Sequence, residues 1–166
     1  MTPGQADPSS EVVVTEAERY ERGLALKSAG LYKSAIEQFE QAAVDPVLTL
    51  KAQAQIGLCF KLAGHYEQAV TAFQKALAAS SGSSKETVQI LYVLGRTLES
   101  LGRVAETLEA YRWIRREDPG YRDVAYRIEQ LSVRRRTADA KNPRREESTW
   151  VDGVLKSWQG LLGTSR

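Results

Sequence analysis

A chain of 166 residues with 42% apolar and 27% charged residues fits a single soluble domain, and its net charge of +2 excludes a uniformly basic or acidic protein. The charge is uneven: residues 1–111 hold 10 basic and 13 acidic side chains, and residues 112–166 hold 13 and 8, so only the C-terminal third could meet an acidic surface. One cysteine, Cys59, excludes an intramolecular disulfide framework and a cysteine-cluster zinc site.

Residues 1–11 are rich in Pro, Gly, Ser and Gln, with no basic region and no apolar run that would make a signal peptide, and residues 1–14 read as a disordered segment. Thr15 with Glu18 forms a capping box that starts a first helix, which runs to about residue 29 and closes at Gly30. A second helix over 32–44 stops before Asp45-Pro46, because proline disfavours helical geometry in the residue before it. The next pair covers 48–63 and 66–79, and Ser80 to Ser84 forms a flexible link. Ser83 and Glu86 then offer another capping box for a third pair over 85–101 and 104–117, ending at Asp118-Pro119. A seventh helix over about 121–135 carries Val124, Ile128 and Leu131 on one face, as expected for a cover over an open stack end.

The three pairs share one register. The pattern of residues 58–76 recurs 34 residues earlier and 38 residues later. Gly23, Gly57 and Gly95 align, as do Gly30, Gly64 and Gly102, and Phe39, Phe73 and Tyr111 follow. With Tyr32, Tyr66, Ala35, Ala69, Ala42, Ala76 and Pro119, this resembles the tetratricopeptide repeat family over residues 15–136, which implies an all-α, right-handed superhelical stack of helical hairpins. A small residue in the first helix is expected to admit the alanine of the second. The aromatic is expected to fill the space between neighbouring hairpins. In the third copy Val104, Thr107 and Ile114 replace Tyr and two alanines, so that copy is expected to pack with a different spacing.

No catalytic, cofactor-binding or metal-ligating constellation is legible, and the chain reads as a non-enzyme. His65 sits in a Gly-His-Tyr turn, Cys59 lies among apolar neighbours, and no phosphate loop or dinucleotide fingerprint occurs. The resemblance implies instead a concave groove lined by the first helix of each pair, which would hold a partner's helix or peptide. Its wall would be Tyr20, Leu24, Lys27, Ala54, Leu58, Lys61, Tyr92, Arg96 and Glu99. One subfamily grips a carboxylate terminus with a lysine and asparagine clamp. Those positions here are Tyr20, Leu24, Ala54, Tyr92 and Arg96, of which only Arg96 has suitable charge, so the groove reads as aromatic and apolar.

Two further stretches remain. The basic polar linker, residues 137–149, follows Arg134-Arg135-Arg136. Acidic residues interrupt the basic run and no stacking aromatics are interleaved, which argues against a nucleic-acid site. Residues 150–163 form an amphipathic helix with Trp150, Val151, Val154, Leu155, Trp158, Leu161 and Leu162 within an arc of about 140°. It could dock on its own repeats, self-associate with a second copy, or bind another protein or a membrane surface. The expected setting is cytoplasmic, with peripheral membrane attachment as the alternative role.

Overall fold

A computed structural model describes residues 14–79 and 82–141. Within them the chain forms seven helices: α1 (Glu16–Ser28), α2 (Tyr32–Ala42), α3 (Thr49–Leu62), α4 (Tyr66–Ala78), α5 (Ser84–Ser100), α6 (Val104–Glu117) and α7 (Val124–Lys141). Each packs chiefly on the helix before and after it, and α1 also touches α3. The result is a stack of helical hairpins, as the repeat register predicts.

Local chemistry explains where the helices start and stop. At α1 the backbone N–H of Glu18 donates to Thr15 Oγ1 at 3.2 Å, and Thr15 N–H donates back to Glu18 Oε2 at 2.8 Å. Ser83 and Glu86 make the same reciprocal pair at α5, over 3.3 and 3.0 Å. Each hairpin turn is a Schellman closure: Gly30, Gly64 and Gly102 adopt φ of 77°, 83° and 71°, a region that penalises a Cβ. The following N–H groups of Leu31, His65 and Arg103 donate back to the carbonyls of Leu26, Phe60 and Leu98. A tight, uniform turn of this kind brings the two helices of each pair together.

Two core clusters hold the stack. One joins α2–α4 through Ala35, Phe39, Ala42, Ala52, Ile56, Cys59 and Ala72, with Tyr20, Leu24 and Leu26 of α1 packed against it. The larger cluster runs from Leu50 and Phe73 through Leu91, Leu94, Leu98, Tyr111, Trp113 and Ile114 to Val124, Ile128 and Leu131 of α7. Phe60 packs against both. The apolar stripe foreseen on the seventh helix is therefore the seal on the open end.

Three details differ from the sequence expectation. A Cβ placed on Gly23, Gly57 or Gly95 would lie 2.6, 2.6 or 2.4 Å from the ring of Phe39, Phe73 or Tyr111. The glycines therefore make room for the aromatic ring of the second helix, rather than for its alanine. Helix α2 ends at Ala42, two residues early, because Asp45 organises a turn: its carbonyl accepts from Leu48 and Thr49, and its Oδ1 accepts from Val47 N–H. Helix α7 starts at Val124 and runs to Lys141, so the first residues of the expected linker are helical.

The third hairpin also carries a polar device absent from the other two. Arg103 donates from Nε and one terminal nitrogen to the two oxygens of Glu106, both at 2.7 Å, and its other terminal nitrogen reaches Glu67 on α4 at 3.0 Å. Glu106 is buried, and the fork geometry makes both bonds charge-assisted. Replacing Glu106 with alanine leaves a half-buried guanidinium with only an exposed partner. The expected loss is about 1.5–3 kcal/mol, seen as a lower urea midpoint at unchanged slope. A loss below about 0.5 kcal/mol would show that solvent compensates the pair.

Candidate functional site

The first helices of the three hairpins, α1, α3 and α5, line a cleft of about 410 Å³ that is closed at one end by the α6–α7 turn. Its side chains follow helical spacing. Lys51, Ala54, Gln55 and Leu58 form a stripe on α3, and Glu86, Gln89, Ile90 and Val93 form the facing stripe on α5. Tyr20 of α1 stands at the first-hairpin end; Tyr92, Tyr121 and Arg122 stand at the other. Leu50 and Phe73 reach the floor from the core behind. The cleft has an aliphatic centre with tyrosines at its ends and polar side chains along its walls, a pattern that suits peptide and helix grooves.

Of the nine residues expected to line a groove, Tyr20, Ala54, Leu58 and Tyr92 come together in this cleft. Leu24 packs instead on the first core cluster, and Lys27 Nζ hydrogen-bonds Gln55 Oε1 across the hairpins. Lys61 is partly exposed near the end of α3 and stands outside the cleft lining. Arg96 and Glu99 lie one and two turns farther along α5. Arg96 pairs with Glu99 at 3.8 Å, and Glu99 accepts from Tyr111 Oη at 3.0 Å and from Arg127 at 3.0 and 3.1 Å. Glu99 is thus spent on holding α5, α6 and α7 together.

That network continues into the cleft wall. Tyr92 Oη donates to Asp123 Oδ1 at 3.0 Å, and Asp123 Oδ2 lies 2.8 Å from Arg127 Nε. Hydrogen bonding from Arg127, assisted by Tyr92, holds the Asp123 carboxyl below the usual carboxylate range. Burial, then the Glu99 charge, pushes the Tyr111 phenol well above its ordinary value, so it stays neutral and donating. Tyr92 itself is only 9% exposed and packs against Tyr111 and Tyr121. It is a wall of the cleft before it is a contact surface, so Tyr92→Ala would damage the fold and cannot report on binding alone.

Among the lining residues that the sequence did not suggest are Lys51, Gln55, Glu86, Gln89, Tyr121 and Arg122. Glu86 lies six residues from Tyr92 and on another face of α5, but Lys51, Gln55 and Gln89 were within reach, each three residues from Ala54, Leu58 or Tyr92. Tyr121 and Arg122 were not, because they belong to a turn outside the repeating unit.

Cys59 is fully buried and burial pushes its thiol pKa up, which disfavours the reactive thiolate. His65 is exposed and makes an edge contact with Phe60. Among the described residues no group of three or more His, Cys, Asp or Glu is placed to hold a metal, and no helix is long and apolar enough to cross a membrane. The expected docking helix with Trp150, Val151, Val154, Leu155, Trp158, Leu161 and Leu162, and the linker beyond residue 141, lie outside the described residues.

The fold and the cleft define a helical-hairpin repeat protein with a concave surface. The tetratricopeptide repeat family model matches residues 63–122, from the end of α3 through the third hairpin to Arg122. With seven helices packed in consecutive pairs, that match fits an assignment to the tetratricopeptide repeat family. Its repeats are, in general, non-catalytic modules of protein–protein interaction. No curated protein matches the chain.

Proposed function

We propose that this protein is a non-enzymatic scaffold or adaptor that binds a helix or extended peptide of another protein in the α1/α3/α5 cleft. The observation that carries this reading is the cleft itself: about 410 Å³ of concave space with Ala54, Leu58, Ile90 and Val93 across its middle. Ala54, Leu58 and Val93 are only partly covered, and such aliphatics in a concavity gain from an apolar occupant, at roughly 25 cal/mol per Å² of apolar surface removed from water. Ala54 and Leu58 are the useful probes, because both are only partly buried in the folded chain.

Ala54→Arg should block the cleft with a long charged side chain from a position at the edge of the core cluster. Leu58→Asp should place a carboxylate on its apolar middle. Each variant is expected to lose at least tenfold in partner capture, a change of about 1.4 kcal/mol. Lys75→Glu, on the opposite groove between α3 and α4, should capture as wild type does. Unchanged capture by the two cleft variants, with helicity intact, would put the binding surface elsewhere.

A further inference from the structure

Arg122 has a backbone and a side chain that the fold alone does not account for. Its φ is 47°, and it is the one non-glycine with positive φ among the described residues. An arginine there carries the Cβ penalty of the left-handed region, which at a cleft mouth points toward function. Its guanidinium carbon lies 4.8 Å from the Tyr92 ring centroid and 5.5 Å from that of Tyr121. These two rings meet edge to face at 5.6 Å, so the stack holds the cation in one place.

The charge is also unmatched. No acidic side chain among the described residues pairs with Arg122. The adjacent carboxylate, Asp123, is committed to Tyr92 and Arg127. The other carboxylate of the cleft, Glu86, caps α5 through Ser83 and faces Lys51 at 4.0 Å. The third-hairpin end of the cleft therefore offers a guanidinium whose ring-facing surface is covered by the tyrosines and whose N–H edge remains available to a planar acceptor.

Resting on the reading of the cleft as a protein-binding groove, we infer that Arg122 sets its specificity. The occupant is an apolar segment of another protein that carries an aspartate or glutamate side chain at a fixed distance from its bulky apolar residues. The apolar residues fill the centre between α3 and α5, and the carboxylate pairs with Arg122 at the end. Such a charge fixes register and direction more than it adds affinity. The Arg96 position that resemblance would have singled out is already paired with Glu99.

Selection of random 16-residue peptides displayed on phage as internal fusions, with no free C-terminus, tests this on the full chain. Wild type should enrich apolar sequences with Asp or Glu at one fixed offset. Arg122→Glu should enrich Lys or Arg at that offset, and Arg122→Asn, which suits the left-handed backbone, should keep the apolar pattern without a charge preference. For a selected peptide, Asp→Asn should weaken binding to wild type about fivefold and leave binding to Arg122→Asn unchanged. An acidic position missing from the wild-type pool, or persisting with Arg122→Glu, would overturn the inference and leave the groove reading standing. Peptides that reproduce residues 150–162 would make the occupant this chain's own tail or a second copy's, overturning an external partner. No enrichment of apolar peptides by any variant would overturn the groove reading as well.

Discussion

Gly57→Ala is expected to destabilise the protein by about 1–3 kcal/mol, although alanine is the better helix former. The two effects oppose each other. Propensity favours alanine by about 1 kcal/mol in a helix interior. Against it, the new Cβ would stand 2.6 Å from a ring carbon of Phe73, a side chain only 1% exposed and held in the larger core cluster. The ring cannot swing to solvent, so it must push on the packed cluster around it, and overpacking wins. Truncating the ring should reverse the sign. In a Phe73→Leu background, itself destabilised, Gly57→Ala should cost nothing or stabilise. A double-mutant cycle by urea denaturation would measure this coupling. Equal penalties in both backgrounds would mean that the glycine is required for another reason.

The second large effect is expected at Glu99. Its carboxylate accepts from fully buried Tyr111 and from Arg127, so Glu99→Ala leaves a buried phenol and a guanidinium without that partner. A loss of about 2–3 kcal/mol should follow. It should appear first in α7, whose amides should exchange faster than those of α3, because the network ties α7 to α5 and α6. Uniform acceleration along the chain would show that α7 does not open separately.

The same network has two pH limbs of opposite sign. The folded Asp123 carboxyl titrates below its ordinary value of 3.8, so its contribution is complete above about pH 4 and disappears as pH falls through the lower folded value. The folded Tyr111 phenol titrates above its ordinary value of 10.0. Its contribution is therefore complete below pH 10 and is lost as the unfolded chain ionises at higher pH.

The sequence carried the hairpin stack because that information is local and repeated. Gly64 after an apolar helix, Thr15 with Glu18, and Pro119 after Asp118 each act within a few residues, and three copies in one register remove ambiguity. Val124, Ile128 and Leu131 likewise announced a covering helix through periodicity alone. The glycine-to-aromatic contact was harder to read, since Gly57 and Phe73 are joined across a turn and both alanine and phenylalanine of α4 were plausible neighbours. The cleft was half legible. Helical spacing locates Ala54 and Leu58 on one face. It does not reveal that Glu99 turns inward to Tyr111, nor that a non-repeating turn swings Arg122 over Tyr92. Those depend on how the third hairpin meets α7, where Arg127 and Asp123 come from outside the repeat.

The central claim, that the cleft holds the partner, is tested most directly by site-specific photo-crosslinking in cells that express the full chain. A benzophenone side chain at Ala54 should give a discrete protein adduct that Leu58→Asp abolishes, and the same group at Lys75 on the opposite groove should give none. Adducts from Lys75 and none from Ala54 would contradict the account.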